Sequence, residues 1–195
     1  MPEAAPPMPE SPVTGNAGKH DGPGDADGPG GWGRLMSSRK GLAVWLAAAI
    51  LVAVLDQFTK QLVLDALKPG DSIPIAPFTN LVLWFNRGAA FSFLAEGAGW
   101  QRLLLIGIAI VAVLVIVWLL ARHRGEYLFC SGLMLVLGGA IGNLWDRVMH
   151  GHVVDFVLLH AGGYHWPAFN LADSAITVGA AMIIIDGFRQ RHRTS

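Results

Sequence analysis

Four long apolar runs dominate the chain, and the polar residues that interrupt them are few enough to place one by one. Crossing a hydrocarbon core of about 30 Å takes roughly 20 apolar residues in a helix. The pattern predicts helical spans over about 41–64, 100–120, 127–147 and 168–188. The first reads "GLAVWLAAAILVAVLDQFTKQLVL" and the last "AFNLADSAITVGAAMIIIDGF"; the third runs into "GNLWDRVMHGHVVDF", where charged residues follow an apolar stretch.

Short cytoplasmic loops collect Lys and Arg, and this sets the direction of the spans. Arg34, Arg39 and Lys40 precede the first span, Arg122 and Arg124 separate the second from the third, and Arg189, Arg191 and Arg193 follow the fourth. Four crossings put all three clusters on one side, so both termini are expected in the cytoplasm. The loops of about 65–98 and 148–167 then face outward. The first, with "SIPIAPFTNLVLWFNRGAAFSFL", mixes β-branched and aromatic residues with Pro and Asn breakers. That composition suits a small sheet at the membrane surface, followed by a short amphipathic helix around Ala90–Ala95.

Composition agrees with a membrane protein, being 53% hydrophobic and only 14% charged against about a quarter charged in soluble domains. The net charge of zero gives no reason to expect a nucleic-acid partner. A lone cysteine, Cys130, excludes an internal disulfide framework or a multi-cysteine metal knuckle. Residues 1–33 differ in kind: rich in Pro, Gly, Ala and Asp, with almost no large apolar side chain, they read as a disordered cytoplasmic tail ahead of a membrane domain of residues 34–195.

Placed on this topology, the intramembrane polar residues converge. Asp56 and Lys60 share a face near the outer end of the first span, Asn143, Asp146 and Arg147 close the third, and Asn170 and Asp173 open the fourth; Asn86 and Asp155 belong to the outer loops. Snorkelling to the headgroups accounts for Lys60 but not for Asn143 or Asp173, which should lie below the surface. Asp186 is about 20 Å from Asp173 along its helix and Cys130 about 24 Å from Asp146, so the first reads as an ordinary interfacial charge and the second as a small packed hydrophobe. Gly138 and Gly142 form a small-xxx-small pair that admits a neighbouring helix.

Two carboxylates brought close cannot both ionise cheaply, so one keeps its proton. Such a pair can activate a water and protonate a leaving amine, and Asp155 with Asp173 would make one. Rival chemistries are weaker. No H-E-x-x-H is present, and a metal site from His150, His152, His160 and His165 is less expected than solvated histidines. A Ser–Lys pair from Lys60 with Ser92 or Ser174 leaves the acids without a role. A transporter would hold its acids near the midplane.

The motifs "LDQFTK" (Leu55–Lys60), "NRGAAFS" (Asn86–Ser92), "GGAIGNLWDRVMHGHVVDF" (Gly138–Phe156) and "FNLADS" (Phe169–Ser174) together resemble the lipoprotein signal peptidases, or signal peptidase II, in order from about residue 40 to 188. The resemblance implies a membrane all-α fold of four transmembrane helices with a small periplasmic sheet and the short amphipathic helix between the first two. It implies an aspartic endopeptidase of the bacterial inner membrane, its site near the periplasmic face, that removes the signal peptide of diacylglyceryl-modified prolipoproteins just before the lipidated cysteine. Asp155 and Asp173 then correspond to the catalytic dyad. Asn86, Asn143, Arg147 and Asn170, with Asp146, correspond to residues that position substrate and support the dyad, and Asp56 with Lys60 to structural polar groups. Arg87 and Trp145 fall at variable positions of the motifs and take no role. No cofactor or metal is implied; the partners are prolipoproteins and membrane lipids, and a monomer is expected. Typical members begin close to the first helix, so the tail departs from the pattern. The alternatives are a small transporter and a non-catalytic lipid-binding membrane protein.

Overall fold

The structure, a computed structural model, describes residues 39–88 and 100–194. The tail expected over 1–33, the short helix expected around Ala90–Ala95 and Ser92 lie outside the described residues. Among the described residues four helices are long and apolar enough to cross a membrane: α1 (Arg39–Ala66), α2 (Trp100–Arg122), α3 (Tyr127–Met149) and α4 (Leu171–Thr194). Strands β1 (Ser72–Ala76) and β2 (Thr79–Asn86) follow α1, and β3 (Val153–Ala161) and β4 (Tyr164–His165) lie between α3 and α4.

The helix α3 is the most enclosed of the four and α2 the least, and glycines explain why. In lipid the driving force between helices is close packing rather than the hydrophobic effect, and small residues allow it. A Cβ on Gly138 would lie 2.7 Å from the Ala49 carbonyl oxygen of α1, and one on Gly142 would lie 2.5 Å from Asp56 Oδ2. On the other side, a Cβ on Gly132 would meet the Gly179 carbonyl oxygen at 2.7 Å, and one on Gly139 would collide with the carbonyl oxygen of Ala172 in the first turn of α4. The expected Gly138/Gly142 pair therefore seats α1, and Gly132 with Gly139 seats α4. Gly139→Ala should accordingly push away the turn that carries Asp173. We expect a loss of about 1–3 kcal/mol from overpacking with a larger proportional loss of activity, read by thermal unfolding in detergent beside a cleavage assay. Wild-type stability and activity would contradict the packing described.

The sheet runs β1-β2-β3-β4 with antiparallel pairings throughout. Its second half comes from the loop after α3, which sequence patterning left without secondary structure. The run "VVDFVLLHA" is nonetheless apolar and partly β-branched, bounded by Gly151 and by Gly162–Gly163, which are strand signals. Gly151, at φ +79°, makes the left-handed turn that lets β3 start immediately beyond α3, a conformation that costs glycine little. The sheet packs on the end of α1 through Val63, Leu67, Leu83, Val154 and Phe156.

The fourth helix starts at Leu171, later than the expected 168. Phe169 instead pairs with β3, its carbonyl accepting from the Phe156 and Val157 N–H groups at 3.0 and 2.9 Å. Asn170 then caps α4, its Oδ1 accepting from the Asp173 N–H at 2.9 Å while Asp173 Oδ2 accepts from the Asn170 N–H at 3.3 Å. This reciprocal box satisfies two donors that a helix start leaves open.

Candidate active site

The polar network begins with an ammonium ion buried at one end of the bundle. Lys60 is 1% exposed, and its Nζ meets Asp56 Oδ2 at 2.7 Å, Asp146 Oδ2 at 2.8 Å and Asn143 Oδ1 at 3.1 Å. Three donors thus find three acceptors, as a buried ammonium requires. The expectation that Lys60 snorkels does not hold: a headgroup offers no advantage over two carboxylates already within reach on α1 and α3. Asp56 Oδ1 also accepts from the Ala172 N–H at 2.9 Å, tying α1 to the start of α4. Asp146 accepts from the Val154 N–H at 3.2 Å, tying α3 to β3.

Gln57 completes this layer, its Nε2 donating to Asp146 Oδ1 at 2.8 Å and to the Gly142 carbonyl at 3.1 Å. Sequence reasoning missed it, because adjacent helical residues point about 100° apart and spacing alone does not join Gln57 to Asp56. Arg102 was missed too; its Nε and Nη2 donate to the carbonyls of Arg147 and Val148 at 2.8 and 2.7 Å, bracing the end of α3 from α2.

Asp155 and Asp173 are held next to this layer. Asp155 is 3% exposed and reaches the site because β3 pairs with β2, with Asn86 opposite Val153. Asn86 and Asp155 are thus diagonal neighbours on one sheet face, and Asn86 Nδ2 donates to Asp155 Oδ2 at 3.0 Å. The Asn86 Oδ1 in turn accepts from the Gly88 N–H at 2.8 Å, which fixes the direction of the amide. The other oxygen, Asp155 Oδ1, accepts from Asn170 Nδ2 at 2.8 Å. Asp173 Oδ1 accepts from Asn143 Nδ2 at 2.8 Å. Asn170 is therefore the joint between the two acids, capping the helix of one and donating to the carboxylate of the other. Burial pushes the Asp155 carboxyl up to about 6, against the lowering effect of the Asn86 and Asn170 hydrogen bonds and with a further rise from the Asp173 charge. Arg147 Nη1 donates to the Asn143 carbonyl at 3.2 Å, and its charge acts on Asp173, Asp155 and Asp146.

All nine polar residues singled out from sequence meet in this network, with a division not visible there: Asp146 belongs with Asp56 and Lys60 rather than with the two outer acids. The residues set aside lie elsewhere or are engaged. Ser174 donates its hydroxyl to the Asn170 carbonyl at 3.0 Å, and Lys60 has no donor left for a serine. The rings of His160 on β3 and His165 on β4 lie 5.9 Å apart, while those of His150 and His152 lie 6.1 Å apart before β3. Among the described residues no three His, Cys, Asp or Glu side chains are grouped to hold a metal. Cys130 is buried among Trp45, Ile116 and Leu133, with its Sγ on the His123 carbonyl. Asp186 bonds to Gln190, not to this network.

Comparison with known proteins points the same way. The family model described as signal peptidase (SPase) II matches residues 48–189. The lipoprotein signal peptidase of Ralstonia nicotianae is 49% identical over 181 residues, covering 93% of this chain and 99% of that protein. A match of that length takes in residues ahead of α1. The lipoprotein signal peptidase of Cupriavidus taiwanensis is 54% identical over 147 residues, 75% of this chain and 84% of its own. A solved bacterial membrane enzyme superposes with a TM-score of 0.69 at 30% identity, covering 78% of this chain and 92% of that structure. The fold is that of a multi-pass bacterial membrane protein, and the activity of the matching family is that of a peptidase. With the family model covering most of its length and relatives near half identity, the chain belongs to the signal peptidase II family.

Proposed function

We propose that this chain is an aspartic endopeptidase of the bacterial inner membrane, with Asp155 and Asp173 as its catalytic pair. It removes the signal peptide from diacylglyceryl-modified prolipoproteins by cutting just before the lipidated cysteine. The observation that carries the reading is that both carboxylates bond to one residue, Asn170, Asp155 through its side-chain amide and Asp173 through its backbone N–H, with Asp155 raised to about 6 by burial. A pair that shares one proton has both partners hydrolysis needs: the ionised carboxylate takes a proton from water as it attacks the scissile carbonyl, and the protonated one gives its proton to the leaving amine. Asn86, Asn143 and Asn170 hold the acids, and Arg147 brings positive charge to the same place. Acyl chains remain in lipid while the peptide bond reaches this depth. In this reading the working unit is the monomer.

The three Lys/Arg clusters support cytoplasmic termini and a periplasmic site. Tags at residue 1 and residue 195 should resist protease added to intact spheroplasts; digestion of either would refute the orientation. The composition of residues 1–33 gives them no part in the chemistry, so a chain lacking residues 2–33 should still cleave.

Cleavage of a purified lipidated precursor is the direct test, and an intact precursor would sink the proposal. Its pH dependence adds detail. Asp155 titrates above its ordinary 3.8, so its proton stabilises the folded state below that value and this contribution is lost as pH rises through about 6. The shared proton leaves over the same window, so kcat/KM should fall on the alkaline side with a limb near pH 6. Asn86→Ala removes a bond that favours the ionised form and should move the limb upward; an unmoved limb would separate Asp155 from the chemistry.

A further inference from the structure

Lys60 has all three of its donors engaged inside the protein, two of them by Asp56 and Asp146, and the third bond leads directly to one of the acids. Its Nζ donates to Asn143 Oδ1 at 3.1 Å, and Asn143 Nδ2 donates to Asp173 Oδ1 at 2.8 Å. An ammonium has only donors, so it dictates which end of the Asn143 amide faces inward. The carbonyl must turn to Lys60, and the NH2 is thereby delivered to Asp173. Asn170 Nδ2 approaches the same Asn143 oxygen at 3.3 Å, which adds a second donor in the same sense. Asn143 is 6% exposed, so its amide is largely removed from bulk solvent.

We propose that Lys60 is a positioning residue for catalysis: anchored by Asp56 and Asp146, it sets the orientation of the Asn143 amide and so the hydrogen bond that holds Asp173 in its reactive geometry. Without the ammonium, the amide oxygen keeps only the longer approach of Asn170 Nδ2, at 3.3 Å, and its orientation is less firmly set. A flipped amide presents an oxygen to a carboxylate and repels it. The inference rests on the reading of Asp155 and Asp173 as the reacting pair.

The test must separate positioning from folding, because Lys60→Met alone strands two buried acids. The triple variant Asp56→Asn/Lys60→Met/Asp146→Asn removes all three charges together, so the buried layer becomes neutral while Asn143 still lacks its ammonium. Expected is a melting temperature closer to wild type than that of Lys60→Met. Its kcat should stay about ten- to a hundred-fold down, with KM within about two-fold, as for an interaction realised only in the transition state. A kcat restored along with the fold would overturn the proposal and leave Lys60 purely structural, as would a loss expressed wholly in KM. Asp173→Asn is run beside it: if that variant retains activity, the reading of the pair fails, whereas an inactive Asp173→Asn beside a fully active triple variant removes the role of Lys60 alone.

Discussion

Asp155→Asn and Asp173→Asn should each lower kcat by about a thousand-fold or more, the upper part of the range for a lost general acid or base. An amide cannot act as the ionised base, nor exchange a proton with its partner. Because the two acids act as one unit, the double variant should be hardly worse than either single one. The fold should survive Asp155→Asn, since volume is kept and a like charge is removed next to Asp173. Asp173→Asn has a second consequence, because Asp173 also closes the capping box with Asn170. An amide has one oxygen for the two donors, Asn143 Nδ2 and the Asn170 N–H, so one bond is lost at a cost of about 0.5–1.5 kcal/mol. Asp186→Asn is the control, since Asp186 bonds to Gln190 far from the acids, and it should be near neutral. The measurement is precursor turnover at matched expression, with thermal unfolding alongside. Near wild-type turnover in either acid variant would defeat the mechanism, and so would equal damage from Asp186→Asn.

Lys60→Met should be the most destabilising single change in the polar layer, at about 3–5 kcal/mol. The ammonium is buried with Asp56 and Asp146 at 2.7 and 2.8 Å, and its removal leaves two carboxylates, 0% and 1% exposed, without their counter-ion. Methionine fills the volume but satisfies neither. The damage should spread, because Asp56 also holds the start of α4 through the Ala172 N–H and Asp146 holds the start of β3 through the Val154 N–H. Unfolding in detergent, followed by heat, gives the magnitude, and Asp56→Asn/Asp146→Asn in the same chain should recover much of the loss. A Lys60→Met protein that melts with the wild type would mean the layer is solvated and its charges are not interdependent.

The apolar runs determined the four helices without help from tertiary context, because a backbone in hydrocarbon must satisfy its own hydrogen bonds and only length and hydropathy matter there. The same periodicity put Asp56 with Lys60 and Asn143 with its neighbours on shared faces, and the motifs around Asp155 and Asp173 were recognisable from residue identity alone. What only the folded chain decided were the distances across elements. The pairing of β3 lies outside the sequence pattern because its partner, β2, stands some 70 residues earlier, and strand hydrogen bonds are non-local while those within a helix are local. Whether Lys60 snorkels or is buried depends on two carboxylates, one of them on another helix, and hydropathy assigns it the same cost either way. Gln57 acts through Asp146 and a backbone carbonyl of α3, and Arg102 through two such carbonyls, contacts that carry no pattern in the chain. The division of the polar residues into a charge-paired layer under Lys60 and a pair of acids joined by Asn170 arises where four elements meet, and close approach of those elements rests on glycines whose neighbours the chain itself does not name.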